Sequence, residues 1–270
     1  KNDFFEIKDV DNKYYAPANY YHSHILYREK NYEQALAGFN RLVGNETFGS
    51  VVPYYITQIY FIRGKYNEVV KEAPKLLVDS VGVQKEGEIN RMIGESYFHL
   101  KQYDKALSYL KKTDLLSNLN AEGAYALAYC YYQQKDYKNA LNYFEKVTQG
   151  EDSLAQSAWY HQGDCHVRLN EKMKAKIAFY KAFQLGYDLQ INEEALFAFA
   201  KLSYELDFSP YNDAVRAFTR FLKEFPNSTH KEECYTFLVN VYSTTKNYTQ
   251  AIESIESLET IDPILKVSYQ

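Results

Sequence analysis

Small and apolar positions recur along this chain at helical spacing and at a fixed long period. One submotif returns as NYEQALAGFNRL (31–42), KYNEVVKEAPKLL (65–77), QYDKALSYLKKT (102–113), DYKNALNYFEKV (136–147), EKMKAKIAFYKA (171–182), PYNDAVRAFTRF (210–221) and NYTQAIESIESL (247–258). Its anchor is small: Ala35, Val69, Ala106, Ala140, Ala175, Ala214 and Ala251. Six copies place a tyrosine three residues earlier, at Tyr32, Tyr66, Tyr103, Tyr137, Tyr211 and Tyr248. Four residues after the anchor stands Phe39, Ala73, Leu110, Phe144, Phe179, Phe218 or Ile255. Steps of three and four mark one face of an α-helix, so each submotif predicts one.

A further helix precedes each. In EGAYALAYCYYQQ (122–134), Ala124, Leu127, Ala128 and Tyr131 again fall three or four apart. Links such as REKN (28–31) and QQKD (133–136) are too short for anything but antiparallel neighbours, so the unit is a helical hairpin. Successive anchors lie 34, 37, 34, 35, 39 and 37 residues apart. Only six prolines and eleven glycines interrupt 270 residues, which agrees with an all-α chain.

A period near 34 residues with these residues at these places resembles the tetratricopeptide repeat (TPR) family, whose unit reads WxxLGxxY, then AxxxF, then P. The fifth copy carries the pattern most fully, with Trp159, Gly163, His166 in the tyrosine slot, Ala175, Phe179 and Ala182. Pro226 and Pro263 stand twelve residues after the sixth and seventh anchors. The resemblance covers about residues 14–263 and implies a right-handed α-solenoid of about seven helix-turn-helix repeats. They are expected near 16–49, 50–83, 87–120, 121–154, 156–189, 193–228 and 232–265, after a lead-in at 1–13 and before the start of a further helix at 264–270. Three copies depart from it. The second has Val69 and Ala73, the fifth lacks its aromatic at Lys172, and the sixth has a longer link, YELDFSP (204–210).

The pattern has physical reasons. Small residues such as Gly94, Ala128 and Gly163 let paired helices approach closely, aromatics fill the seams, and proline ends the second helix. Much of the excess of 28 tyrosines is placed in this way.

A net charge of −4, from 31 basic and 35 acidic residues without blocks of one sign, argues against a nucleic-acid partner. No apolar run reaches the ~20 residues of a membrane span, and KNDFFEIKDV has neither region of a signal peptide. Because the chain begins without Met, it is expected to be processed or cut from something longer.

The densest chemistry is WYHQGDCHVRLN (159–170), with two histidines, an aspartate and a cysteine in six residues. His161 and Cys165 are one helical turn apart, but third and fourth metal ligands at a recognisable spacing are missing. In the repeat register Cys165 shares the slot of Cys130, on the packing side, so the cysteines read as small apolar residues and His166 as a flat substitute for tyrosine. A Cys130–Cys165 disulfide is not expected, and neither is a framework from Cys130, Cys165 and Cys234. HSH (22–24) reads as helix surface, and Glu193 with Glu194 as a favourable helix start. HExxH, GxxxxGK, GxGxxG and GxSxG are absent, so no catalytic, metal or cofactor site is expected.

In the family that the chain resembles, first helices line a concave groove that holds peptide segments of other proteins. Carried over by register, the groove residues are Tyr20, His24 and Tyr27, then Tyr54, Gln58 and Phe61, then Arg91, Glu95 and Phe98. The later copies give Tyr125, Tyr129 and Tyr132, then Tyr160, His161, Asp164 and Arg168, then Phe197, Lys201, Tyr204 and Asn240. The groove so drawn is aromatic, without the Lys and Asn cluster of carboxylate-clamp members. It implies a protein or peptide partner held by tyrosine and arginine. Plainer readings compete: some tyrosines pack first helix on first helix, or Tyr, Asn and Lys reflect an AT-rich genome.

Two other functions stay open, a carbohydrate or small-ligand receptor built around Asp164 and Arg168, and a spacer in a longer array. PILKVSYQ (263–270) reads as the start of another first helix, so self-association through an uncapped last repeat is a further expectation. The YxxA helix starts and FPNST (225–229) resemble repeats of bacterial envelope proteins, which leans the localisation toward a periplasm.

Overall fold

The structure is a computed structural model describing residues 13–77, 82–206 and 212–256. Among them are fourteen α-helices, one 3-10 segment and no strand. In chain order, α1 (Tyr15–Arg28) and α2 (Tyr32–Asn40) are followed by α3 (Val52–Ile62) and α4 (Tyr66–Glu72), which leads into a 3-10 turn at Ala73–Leu77. Then come α5 (Val83–His99), α6 (Tyr103–Leu116), α7 (Ala121–Gln133) and α8 (Tyr137–Val147). The last six are α9 (Ser153–Arg168), α10 (Lys172–Leu185), α11 (Leu189–Leu206), α12 (Asn212–Glu224), α13 (Lys231–Thr244) and α14 (Tyr248–Glu256). The anchors all fall in the even-numbered helices.

The lead-in through residue 12, the tyrosine at 211 with the end of the 204–210 link, and the closing segment with Pro263 lie outside the described residues.

One device makes the hairpins. In the six hairpin turns among the described residues, the residue five before the anchor has positive φ: Lys30 (62°), Gly64 (68°), Lys101 (59°), Lys135 (61°), Asn170 (58°) and Lys246 (59°). Its amide bonds three residues back and the next amide five back, as with Lys30 to Tyr27 and Asn31 to Leu26, or Lys135 to Tyr132 and Asp136 to Tyr131. This satisfies the last carbonyls of the first helix and reverses the chain within three residues.

The chain divides into two compact units, residues 1–130 and 131–270. In the first, Leu26, Ala35, Phe39, Val52 and Ile59 form one core, and Val69, Ala73, Ile89, Met92 and Ile93 another. In the second, Ala175, Phe179, Leu196, Ala214, Phe218 and Leu238 belong to one cluster, with Trp159 packed against it. Every anchor is at most 2% exposed. The glycines show why small residues are needed there. A Cβ at Gly163 would stand 2.6 Å from a ring carbon of Phe179, and one at Gly94 would stand 2.7 Å from Cγ of Leu110.

Two local features differ from the pattern. Helix α4 is only seven residues long. Pro74 cannot donate to the Val70 carbonyl, and with small Ala73 in the large slot the chain tightens to 3-10. HSH is not helix surface: His22 and Ser23 are buried, and His24 meets Tyr55 edge-on at 5.3 Å. The polar residues face inward because Ser23 Oγ donates to the Asn19 carbonyl at 2.6 Å and needs no water.

Candidate interaction surface

In the first unit, the expected groove residues form two linked patches. Tyr20 stacks on Phe48 at 4.5 Å, and Tyr55 lies against Tyr20, His24, Tyr27 and Phe39 at 5.2–6.3 Å. Tyr27 Oη donates to Gln58 Oε1 (3.1 Å), Gln58 Nε2 donates to Tyr54 Oη (3.0 Å) and Glu88 Oε1 (3.0 Å), and Tyr54 Oη donates to Glu88. Three successive first helices, α1, α3 and α5, are joined by this chain of bonds.

Burial, then the Tyr55 contact, pushes the Tyr20 phenol up to about 12, and burial with the Glu88 carboxylate raises that of Tyr54. Neither phenol ionises near neutral pH.

The second patch runs from Phe61 to Tyr129. The Arg91 guanidinium lies 5.5 Å over the Phe61 ring and donates to both oxygens of Glu95 at 3.0 Å. Glu95 is buried, and burial raises its pKa even though Arg91 pulls it down. Phe98 meets Tyr125 and Tyr129 edge-on at 6.3 and 5.7 Å, and those two tyrosines stack at 6.2 Å.

In the second unit Tyr132 Oη donates to Asp164 Oδ2 at 2.6 Å, and Arg168 Nε lies 3.5 Å from the same oxygen. His161 sits beneath, stacked on Phe144 at 5.6 Å and near Tyr132 and Tyr160. Burial drives its pKa down to about 4, so the imidazole stays neutral. Tyr160 packs on Phe179 at 5.6 Å. Farther along, Lys201 lies over Phe197 and Phe237 at 5.2 and 5.8 Å and donates to Glu233 at 2.8 Å, while Tyr204 meets Phe237 at 5.0 Å. Asn240 is half-buried on α13.

Nearly all the expected groove residues are therefore half-buried; Glu95 and Phe197 are buried and Arg168 exposed. They also tie one first helix to the next, so part of the tyrosine excess is packing. Sequence reasoning passed over Tyr55 and Glu88, though both sit at groove positions of the register it drew. Asp164 takes the Tyr132 hydroxyl and lies 3.5 Å from Arg168 Nε, so its carboxylate is already engaged on two sides.

In the WYHQGDCHVRLN stretch, Cys165 is packed in the core and His166 is paired with Glu171. Cys130, Cys165 and Cys234 are free and buried, and burial pushes each thiol up to about 12. His166 is half-buried and its Nδ1 contacts Glu171 at 2.7 Å, next to the turn at Asn170. Among the described residues no three of His, Cys, Asp and Glu come together as a metal site, and no helix is long and apolar enough to cross a membrane.

These paired helices, reversed by the same turn and stacked through small anchors, define a helical-hairpin repeat protein. The chain belongs to the tetratricopeptide repeat family. Tetratricopeptide repeat models match residues 92–113, 194–228 and 232–264, and the model of anaphase-promoting complex, cyclosome, subunit 3 matches 114–183.

Solved structures agree on the fold. The C-terminal part of a TPR repeat-containing protein from Cytophaga hutchinsonii is 14% identical, aligned over 93% of this chain and 99% of that one, with a TM-score of 0.64. YrrB, described as a TPR protein with an unusual peptide-binding site, is 22% identical over 71% of this chain and 96% of its own, with a TM-score of 0.58. A tetratricopeptide repeat protein from Parabacteroides merdae is 14% identical over 93% and 96%, with a TM-score of 0.51. No curated protein matches the chain significantly.

Proposed function

We propose that this chain is a non-enzymatic scaffold that binds peptide segments of other proteins along the aromatic faces of its first helices. The observation that carries the reading is the half-burial of Tyr20, Tyr27, Tyr54, Tyr125, Tyr129 and Tyr160. Each ring is held by neighbours yet keeps part of its surface exposed, so a ligand meets apolar area already ordered and loses little side-chain entropy on binding. YrrB, of like fold, is described as having a peptide-binding site, which supports the class of ligand. A bacterial envelope setting, suggested by the sequence alone, is part of the same proposal.

The test is selection of a displayed random-peptide library on the immobilised chain, followed by titration of the recovered peptides. Tyr125→Ala with Tyr129→Ala, folded by circular dichroism, is expected to weaken binding about tenfold or more. Recovered peptides that bind this variant and a Tyr20→Ala, Tyr54→Ala variant as tightly as the parent would remove the first-helix face of the first unit as the binding surface.

A further inference from the structure

A second surface lies on the opposite helices of the hairpins. Between α10, α11 and α12 is a cleft of about 310 Å³, lined by Tyr180, Leu196, Phe199, Asp213, Arg216 and Arg220. Its floor is aromatic, with Tyr180 and Phe199 at 4.9 Å. Its rim carries cations that are partly paired. Lys176 lies 5.4 Å over Phe199 and 3.8 Å from Asp213, and Arg220 is seated 4.4 Å over Phe183 and donates to Glu224 at 2.7 Å. Arg216 is exposed and has no hydrogen bond or ion pair among the described residues.

An apolar row leads into the cleft. Met173, Ile177 and Tyr180 follow each other at helical spacing along the open side of α10, 61%, 57% and 37% exposed. The row is about 10 Å long at 1.5 Å per residue.

The charge around it runs against the rest of the chain. Helix α10 carries Lys172, Lys174, Lys176 and Lys181 and no acid, the first three pairing with Glu205, Glu171 and Asp213, while α11 carries Glu193, Glu194 and Glu205 against Lys201. Helix α12 carries Arg216, Arg220 and Lys223 against Asp213 and Glu224. The whole protein has a net charge of −4.

From this complementarity we propose that the α10–α12 cleft is a second docking site and that its occupant is an acidic, apolar segment of a partner protein. A carboxylate of that segment pairs with Arg216 at the rim, where the planar guanidinium can take both oxygens. Its apolar side chains cover Ile177 and Met173 and enter over Tyr180 and Phe199. A free anion would leave the row uncovered, and a flat bilayer cannot enter a cleft between helices. The site shares no residue with the first-helix face, so it stands whether or not that face binds peptide.

The test uses the full chain and fluorescence anisotropy with a fluorescein-labelled EDLFEDLF peptide, beside QNLFQNLF, which keeps the apolar residues and removes the charge. Saturable binding that weakens with salt, and that is about tenfold weaker for the uncharged peptide, is expected. Arg216→Glu and Ile177→Asp, both at exposed positions and checked by circular dichroism, are each expected to weaken it about tenfold, while Tyr125→Ala with Tyr129→Ala leaves it unchanged. No saturation up to about 1 mM, the regime of the weakest specific binding, would overturn the proposal. Equal binding of both peptides, or no effect of Arg216→Glu, would do the same. So would loss of dimers in sedimentation on Arg216→Glu, which makes a second copy the occupant, or sedimentation with phosphatidylserine vesicles that Arg216→Glu abolishes, which makes it a membrane.

Discussion

The Tyr132 phenol donates to the Asp164 carboxylate at 2.6 Å, so a first helix is held to its successor by a short, charge-assisted bond. The Asp164 charge also helps burial to raise the tyrosine pKa. Tyr132→Phe is expected to cost about 1–2 kcal/mol, and Asp164→Ala is expected to cost less in the Tyr132→Phe background than alone. Urea unfolding of the two single variants and the double variant measures this, and strictly additive losses would mean that the bond contributes nothing.

Gly163 and Phe179 set a second expectation. A methyl at Gly163 would lie 2.6–2.8 Å from three carbons of that ring, so Gly163→Ala overpacks the α9–α10 seam by about 1–3 kcal/mol. Replacing Phe179 by Leu in the same chain should return part of the loss. Thermal unfolding decides, and an unchanged midpoint in Gly163→Ala would contradict the close approach. Ala140→Trp should destabilise by a similar amount or more, since Ala140 is fully buried.

The lysines at positive φ make the turns improvable. An L-residue there costs about 1–2 kcal/mol relative to right-handed conformations, and glycine avoids that at some cost in chain entropy. Lys135→Gly is expected to stabilise by about 0.5–1 kcal/mol. The reciprocal change, Gly64→Ala, should destabilise by a similar amount because Gly64 has φ of 68°. Chemical denaturation of the pair, with opposite signs, is the check.

His161 gives the pH dependence. Its pKa is about 4 in the folded chain against an ordinary 6.5, so it binds fewer protons folded than unfolded. Stability is unaffected by this group above pH 6.5 and is lost as pH falls from 6.5 through 4, by up to about 3 kcal/mol. His161→Phe, which keeps a flat ring against Phe144, should flatten that part of the curve. Urea midpoints at pH 7 and 4.5 for both chains are the measurement; equal slopes would show that His161 takes its proton without opening the structure.

Much of this fold was legible because its determinants are local and repeated. An alanine that must be small, a tyrosine three residues before it and a large residue four after it recur often enough to fix the register. The turn at Lys30, Lys101 and Lys135 was not legible, because lysine is no signal for positive φ. Nor was the burial of His22 and Ser23, since a hydroxyl bonding its own helix looks in sequence like one facing water. The candidate surface was legible as a set of positions but not as a network. Register names Tyr54 and Gln58 but cannot say that both bond Glu88, which depends on how far one helix is displaced along the next. The α10–α12 cleft went unseen because its residues come from three helices and its aromatic floor is shared with the core.

The seven-residue α4 and its 3-10 continuation bury only Val69 and Ala73. With so little apolar area removed from water, this stretch is expected to hold its backbone amides loosely. Under native conditions hydrogen exchange through α4 should outpace exchange in α5 and α6, with opening that spreads toward α1 before it reaches α7. The α1–α3 end of the unit would then come away as one cooperative piece, a natural place for a protease to cut.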